Sequence, residues 1–195
     1  MSVIAYFDGA LPAARLIRSD AETAARLSVK KGFTDSRIEE CDAMLRPHLD
    51  ARYTGVRVEI LHYEDGVDLG FGKIQSAVLA KNLSRCREAF VFAVTLGHGV
   101  DRYLSRLGAT SPASHFITDA LASAYAEAAC DLAAFEIAAG APTAPRVSLG
   151  YGDMPLSAQP DLLSFIKADK RLHITVGASY LMTPAKSITA IMGVL

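Results

Sequence analysis

The segment from residue 112 to 139 constrains the fold more than any other part of the sequence. Pro112 suits the first turn of a helix and Gly140 suits its end. Between them, apolar residues recur at the spacing of one helical face: Ile117, Leu121, Ala124, Ala128, Leu132 and Phe135. This pattern predicts a long helix that crosses the core of the protein.

A continuous apolar run at residues 90 to 96 has the length and composition of a buried strand, and it predicts the central strand of a sheet. It ends at Gly97-His98-Gly99, and a helix is expected from about 99 to 107. The turn lacks the G-x-G-x-x-G and G-K-[ST] patterns of nucleotide loops, so tight packing is the favoured explanation of its glycines. A second strand is predicted by strict alternation of Val56, Val58, Ile60 and His62 with Arg57, Glu59, Leu61 and Tyr63.

Further helices are predicted by capping signals. Ser19 and Glu22 form a capping box for a helix from about 20 to 31, with Lys30, Lys31 and Gly32 at its end. Thr34 or Asp35 begins a second helix that Pro47 bends or ends. A third is expected at 74 to 84, and Ser157 is predicted to cap a short helix through Leu162, Leu163 and Ile166.

The order of these elements indicates the fold class. Strands are expected near 172 to 180 and 187 to 194, joined by a turn at 183 to 186. Helices and strands neither alternate strictly nor segregate, which favours an α+β fold with a mixed, largely antiparallel sheet and packed helices. No repeat, low-complexity stretch or interior linker occurs, so residues 1–195 are expected to form a single domain.

Composition excludes several classes of function. A net charge of −1 provides no electrostatic footprint for nucleic acid or for an anionic membrane surface. No apolar run approaches the roughly 20 residues of a membrane span, and the N-terminus lacks the charge of a signal peptide, so a cytoplasmic protein is expected. Cys41, Cys86 and Cys130 lie far apart without ligand spacing, which favours free thiols and no metal site.

Arg146 is the only lysine or arginine between Arg106 and Lys167, a stretch that contains six carboxylates. It opens the segment R-V-S-L-G-Y-G-D-M-P, in which Gly150 and Gly152 allow the backbone around Tyr151 to turn sharply and approach a ligand. The guanidinium is an anchor either for a ligand carboxylate or for a protein carboxylate that fixes the loop. The sequence leaves both interpretations open.

Glu127 and Asp131 are one turn apart on the flank of the long helix. Two like charges at this spacing repel each other, so the pair favours a nearby cation. Arg146 is one candidate, and a cationic ligand is the other. A solvated or arginine-paired Glu127 is the plain structural alternative to a ligand-binding one.

Several motifs in the second half of the chain occur together in one order. R-x-x-x-G-Y is followed by Pro155, by a helix and by the terminal segment S-Y-L-M-T-P-A-K-S-I-T-A-I. This arrangement resembles the activation domain of cobalamin-dependent methionine synthase, and it is most similar to the small free-standing members of that family. The resemblance covers about the last 85 residues.

The resemblance implies S-adenosylmethionine binding by Glu127, Arg146, Ser148, Gly150 and Tyr151, with no catalytic side chain. It implies a free-standing reactivation subunit for methionine biosynthesis, which supports methyl transfer to cob(II)alamin on a separate corrinoid protein or methionine synthase. A flavodoxin-type electron donor would complete the system. Cobalamin is expected only through the partner protein, because the chain has no D-x-H-x-x-G pattern.

The chain departs from the family pattern in three places. Gly152-Asp153-Met154-Pro155 replaces the P-A-C-P that follows Gly-Tyr, residues 1 to 40 hold no D-W-T-P-F segment, and the sequence stops before a tyrosine-bearing tail. The alternative function is therefore a non-catalytic assembly or regulatory partner of a corrinoid methyltransferase that has lost ligand binding. An unrelated small-molecule sensor that uses the Arg146 region is a third hypothesis.

Overall fold

The computed structural model describes residues 2–28 and 36–195. The strands within these ranges are β1 (Val3–Leu11), β2 (Ala51–Glu59), β3 (Leu61–Tyr63), β4 (Gly66–Asp68), β5 (Lys73–Ile74), β6 (Glu88–Thr95), β7 (Thr175–Val176), β8 (Met182–Thr183) and β9 (Ser187–Val194). The α-helices are α1 (Asp20–Arg26), α2 (Ser36–Leu45), α3 (Ala77–Leu83), α4 (His98–Thr110), α5 (Pro112–Ala138), α6 (Gln159–Phe165) and α7 (Ala168–Arg171).

The main sheet has four strands in the order β1-β2-β6-β9, and every neighbouring pair is antiparallel. β6 lies inside the sheet between β2 and β9, as its apolar composition predicts. Two smaller antiparallel sheets, β3-β4-β5 and β7-β8, accompany it. The predicted α+β class with a largely antiparallel sheet is confirmed.

The main sheet separates two layers of apolar side chains. Alternate residues of a strand point to opposite faces. Accordingly, Ala89, Val91 and Ala93 of β6 pack in a cluster with residues of α3 and α6. Phe90, Phe92 and Val94 pack in a second cluster with residues of α2, α4 and α5. Burial on both faces explains why the sequence of β6 is apolar without alternation.

α5 begins at Pro112 and ends at Ala138, just before Gly140, as predicted. The orientation of its buried face differs from the expected stripe: Phe135 is 74% exposed. Burial instead follows Leu121 and Tyr125 together with a set of small residues on the same side, Ala122, Ala126, Ala129 and Ala133. Small side chains let a helix lie close to the sheet, so the face that packs is not the face with the bulkiest apolar residues.

The N-terminal helices follow their predicted signals. The Ser19 hydroxyl accepts a hydrogen bond from the backbone N–H of Glu22 at 3.2 Å, so the cap of α1 is confirmed. α2 gives way at Leu45 to a 3-10 turn, Arg46–His48, that contains Pro47. The predicted signals at Lys30, Lys31, Gly32, Thr34 and Asp35 lie outside the described residues.

Several predicted boundaries were wrong. Ser157 does not cap α6, because it lies inside a 3-10 turn, Leu156–Ala158, and α6 starts at Gln159 with a proline in its first turn. The strand near 172 to 180 is reduced to β7, which pairs with β8, while β9 pairs with β6. Both faces of β9 are apolar and buried, so it belongs in the main sheet rather than in a terminal hairpin.

The remaining differences between the predicted and observed elements are shifts in where strands and helices begin or end. β2 starts at Ala51, five residues before the predicted alternation, and stops at Glu59, so His62 lies in β3. α3 starts at Ala77, after a cap at Ser76. None of the helices in residues 2–28 and 36–195 has both the length and the hydropathy of a membrane span.

Candidate functional site

The segment that follows α5 docks along the outer edge of β9. Val147 and Ile191 exchange two backbone hydrogen bonds, of 2.9 and 2.8 Å, and Ala144 donates to the carbonyl of Gly193 at 2.9 Å. These bonds satisfy an edge that would otherwise be unpaired. They also fix Arg146 and Ser148, the two neighbours of Val147, at the edge of the sheet between the two layers of helices.

Arg146 pairs with both carboxylates that the sequence placed one turn apart on α5. Its Nη2 lies 2.6 Å from Oε2 of Glu127, and its Nε and Nη2 lie 3.0 and 2.9 Å from Oδ1 of Asp131. The cation that this like-charged pair favours is therefore Arg146. The two partners differ in exposure, since the side chain of Glu127 is 34% exposed and that of Asp131 is 71% exposed.

The surroundings of Arg146 hold its positive charge firmly. Burial by itself would lower the pKa of the guanidinium, but the facing groups Cys130, Glu127 and Asp131 raise it above its usual value. Of these, the carboxylates supply the negative charge at neutral pH, because burial raises the pKa of the Cys130 thiol to about 12. The cluster thus consists of one permanent cation and two carboxylates.

Two glycines shape the turn around Tyr151. Gly150 and Gly152 have φ values of +86° and +61°, in the left-handed region that glycine adopts without strain. The N–H of Gly150 donates to the carbonyl of Met154 at 3.0 Å, and the N–H of Met154 donates back to Tyr151 at 3.1 Å. The ring of Tyr151 is left 66% exposed at the tip of this turn.

Asp153 ties the same turn to the start of α3. Its carboxylate accepts hydrogen bonds from the backbone N–H groups of Ala77 and Val78, at 2.6 and 3.3 Å, and from the hydroxyl of Ser76. The bond from Ser76, followed by those from the two amides, lowers the pKa of Asp153. The G-D-M-P sequence therefore has a structural purpose, because it anchors the Tyr151 turn on the N-terminus of α3.

Two adjoining clefts open beside Arg146. The larger cleft, of about 840 Å³, lies between α3 and α5 and is lined by Val78, Lys81, Asn82, Glu127, Pro145, Arg146, Val147, Ser148 and Tyr151. The smaller cleft, of about 390 Å³, is lined mainly by residues of the 156–159 and 180–189 segments, including Leu156, Gln159, Leu181 and Met182. Glu127 and Ser148 line both, so the two clefts adjoin at these residues.

The structure brings four of the five predicted site residues to the wall of the larger cleft: Glu127, Arg146, Ser148 and Tyr151. Gly150 does not line it, but its φ value sets the direction of the turn. The sequence analysis missed Lys81 and Asn82, which α3 contributes. No local pattern marks them, because α3 reaches the cleft only through long-range packing.

Asn82 links α3 to the Arg146 segment. Its side-chain Nδ2 donates to the carbonyl of Pro145 at 3.1 Å, while its Oδ1 is buried without a hydrogen-bond partner. A buried acceptor without a donor is unfavourable in the free protein.

The cleft is chemically suited to binding rather than to acid–base work. It offers two cationic side chains, Arg146 and Lys81, with one carboxylate and one exposed aromatic ring. These groups complement a ligand that has a carboxylate, a cationic or hydroxyl-bearing part and a planar ring. In the described ranges, no group of three or more His, Cys, Asp or Glu is arranged to hold a metal ion.

Comparison with known proteins identifies a similarity of fold. No protein-family model matches the chain, and no curated protein sequence matches it either. Among solved structures, it is similar to a crystal structure of the MetH reactivation domain bound to AdoHcy, with a TM-score of 0.77 and 12% sequence identity. The match covers 98% of this chain and 79% of that chain. The protein therefore has the fold of the MetH reactivation domain.

Proposed function

We propose that this protein binds S-adenosylmethionine in the two adjoining clefts beside Arg146 and acts as a free-standing reactivation subunit. One observation carries the proposal: Arg146 and Glu127 are paired on the wall of a cleft of about 840 Å³, in a fold shared with a reactivation domain bound to AdoHcy. AdoHcy is the demethylated product of S-adenosylmethionine. The fold and the site geometry support the same ligand class.

The residues present fit the groups of S-adenosylmethionine. A guanidinium such as Arg146 suits the carboxylate of the methionyl part, and the Glu127 carboxylate suits its amino group or the ribose hydroxyls. The exposed ring of Tyr151 offers a surface on which a planar base can stack. The volume of the larger cleft also lies in the range of about 300 to 1,000 Å³ that is typical of ligand pockets.

Binding would require one exchange of partners at Arg146. The edge of the guanidinium formed by Nε and Nη2 is the best fork for a carboxylate, and Asp131 occupies it. Because Asp131 is largely exposed, its carboxylate can return to water at little energetic cost. Glu127 would stay on Nη2 and keep the guanidinium in place.

The ligand would supply an activated methyl group, and the protein would hold and orient it. The acceptor in this proposal is cob(II)alamin on a separate corrinoid protein or cobalamin-dependent methionine synthase, with reduction by a flavodoxin-type donor. No side chain of this chain is assigned a catalytic role. The contribution of Glu127, Arg146, Ser148 and the Tyr151 turn is to fix the geometry of the methyl donor.

Calorimetric titration of the purified chain with S-adenosylmethionine tests the proposal. We expect one site with a dissociation constant in the micromolar to high-micromolar range. A ligand at about 100 times its dissociation constant should stabilise the fold by about 2.7 kcal/mol, which a thermal shift detects. The chain alone should not retain cobalamin, so a red chromophore that co-purifies in stoichiometric amount would contradict the division of labour proposed here.

A second candidate function has one observation in its favour. Arg146 already pairs with two protein carboxylates through Nε and Nη2, as expected if it only fixes the 140–156 segment. In that case the protein would be a non-catalytic assembly or regulatory partner of a corrinoid methyltransferase. Absence of both heat and thermal shift at millimolar S-adenosylmethionine, together with a stable complex with the methyltransferase, would establish this function instead.

A further inference from the structure

A separate cavity of about 350 Å³ lies at the end of the main sheet where β6 turns into α4. We call it the basic cavity, because six of its lining residues are arginine or histidine: His48, Arg52, His98, Arg102, Arg171 and His173. Among the described residues that line it, Asp50 is the one carboxylate. None of the residues assigned to the candidate site lines it.

The glycines of this turn are explained by packing. A Cβ atom on Gly99 would lie 2.7 Å from the carbonyl oxygen of His48, a distance that backbone atoms do not tolerate. Gly97 has a φ of +80°, and a Cβ atom there would lie 3.2 Å from Asp50. Tight packing of the 97–99 turn against residues 48 to 50 therefore accounts for the motif, but it does not account for the arginines.

The positive charge of the cavity is only partly compensated. Arg52 pairs with Asp50 at 3.0 Å, and Arg171 pairs with Asp8 at 2.7 Å. Arg102 makes no hydrogen bond or ion pair with any of the described residues, although it lies one turn after His98 on the same face of α4. The lining thus has three guanidinium groups and one carboxylate, in a chain whose net charge is −1.

The donors converge from three separate parts of the chain. Arg52 comes from the start of β2, Arg102 from the first turns of α4 and Arg171 from the end of α7. A carboxylate ligand needs only one guanidinium fork, whereas a phosphate group has enough oxygens to accept hydrogen bonds from several directions. The first-turn amides of α4, which no side chain caps, add further donors to the same wall.

We propose that the basic cavity is a binding site for a small phosphate-bearing anion, and that Arg102 is its principal ligand-binding residue. The volume of about 350 Å³ accommodates a diphosphate group with part of whatever carries it. The inference does not depend on S-adenosylmethionine binding, because the two sites share no residue.

Titration of the full chain with inorganic pyrophosphate at fixed ionic strength tests the site. We expect saturable binding with one equivalent, and a loss of about tenfold or more in affinity for Arg102→Gln, since the guanidinium of Arg102, which has no partner among the described residues, gives up no ion pair there when the anion binds. Arg106→Gln is the matched control. It removes the same charge from the next turn of α4, where Arg106 lies over the Tyr103 ring and outside the cavity.

The affinities of the two variants for the two anions together decide whether the basic cavity is an anion-binding site. Arg106→Gln should change the affinity by less than about twofold, which separates a site from a general field effect. A parallel titration with ADP distinguishes sources: tighter binding than pyrophosphate identifies a nucleotide, and equal binding identifies the diphosphate alone. Absence of saturable binding of both anions, or an equal loss in the two variants, would overturn the proposal. Arg102→Gln should leave S-adenosylmethionine binding unchanged.

Discussion

Two charged clusters involve α5, and they differ in what lies at their centre: a carboxylate in one and a guanidinium in the other. In the first, one carboxylate serves three donors: Asp42 of α2 accepts from Nε of Arg18 at 3.0 Å, from Nε of Arg46 at 2.9 Å and from the hydroxyl of Tyr125 at 2.8 Å. In the second, one guanidinium serves two carboxylates, since Arg146 binds Glu127 and Asp131. Both clusters connect α5 to a segment that is distant in sequence.

The clusters differ in their access to solvent. The side chain of Asp42 is only 14% exposed, and Tyr125 is fully buried in the core between the sheet and the helices. Arg146 forms part of the wall of an open cleft, and Asp131 is mostly in water. A closed network cannot exchange partners without leaving a buried charge, whereas an open one can. The cluster around Asp42, which is closed to solvent, is therefore structural, whereas the cluster around Arg146, which is open to solvent, can bind a ligand.

The ionisation of the closed cluster reflects this difference. Burial would raise the pKa of Asp42, but the hydrogen bonds from Arg46, Tyr125 and Arg18 lower it below its ordinary value. Burial and the hydrogen bond to Asp42 raise the pKa of Tyr125 to about 12. The carboxylate is thus held ionised and the phenol is held neutral, which keeps every donor and acceptor of the cluster matched.

The largest effect is expected for Asp42→Asn. The amide would direct an N–H group at arginine donors, leave Arg46 without a carboxylate and leave Arg18 with only the exposed Asp20. We expect a loss of about 3 to 5 kcal/mol in the free energy of unfolding, measured by urea denaturation. S-adenosylmethionine affinity of the folded fraction should not change. A loss below about 1 kcal/mol would show that the closed cluster does not hold α2 on α5.

The pH dependence of this variant provides an independent check. Because the pKa of Asp42 is lower in the folded than in the unfolded chain, its contribution to stability is complete above the unfolded value of about 3.9. That contribution is lost as the pH falls through the folded value. The difference in stability between the wild type and Asp42→Asn should therefore narrow in acid and stay constant near neutral pH.

Arg146→Ala should give the opposite pattern to Asp42→Asn, with a large effect on ligand affinity and a small one on stability. We expect S-adenosylmethionine binding to weaken by about 2 to 5 kcal/mol, because a ligand carboxylate bound at this mostly buried guanidinium loses its charged partner. Arg146→Lys should weaken it less, since charge remains but the fork is lost. The ligand-free protein should lose about 1 kcal/mol or less, because Glu127 and Asp131 are partly hydrated.

Arg15→Ala is the control for Arg146→Ala, because Arg15 also pairs with a glutamate of α5, Glu136, away from the clefts. Ligand affinity should be unaffected in this variant. If Arg146→Ala instead lowers the melting temperature while the dissociation constant stays the same, Arg146 is not a ligand-binding residue.

The comparison also shows what sequence can predict. The apolar run of β6 and the limits of α5 follow from local pattern. Charge and helical spacing predicted a cation beside Glu127 and Asp131 and left Arg146 and a cationic ligand as the alternatives, between which the structure shows Arg146. The rotation of α5 that exposes Phe135 depends on how closely its alanine face approaches the sheet. Lys81 and Asn82 line the cleft from α3, which contacts the 145–153 segment through Asp153 and Pro145. Such long-range contacts leave no periodic signal.

Tyr125→Phe should have a smaller effect than either arginine or aspartate replacement. It removes one hydrogen bond to a charged acceptor and no volume from the core, so we expect a loss of about 1.5 to 3 kcal/mol in unfolding free energy. Tyr53→Phe is the matched control, because the hydroxyl of Tyr53, on β2, donates to the carboxylate of Glu136 on α5 at 3.2 Å in a half-buried position. Equal losses of unfolding free energy in the two variants would mean that the burial of the Asp42 cluster does not strengthen its hydrogen bond with Tyr125.

The smallest expected effect, Asp131→Ala, tests the open cluster most directly. Removing Asp131 frees the Nε and Nη2 edge of Arg146 while Glu127 still holds Nη2, so the ligand no longer competes with a protein carboxylate. Exposed ion pairs contribute about 0.2 to 1 kcal/mol, which corresponds to about a 1.5- to 5-fold gain in S-adenosylmethionine affinity. Stability should change little, because the residue is exposed and alanine favours the helix.

The control is Glu127→Gln, which should weaken S-adenosylmethionine binding. Calorimetry on the two variants compares their dissociation constants with that of the wild type. A loss of affinity in Asp131→Ala would mean that Asp131 itself contacts the ligand or positions Arg146 for it, and the exchange of partners proposed for this site would be wrong.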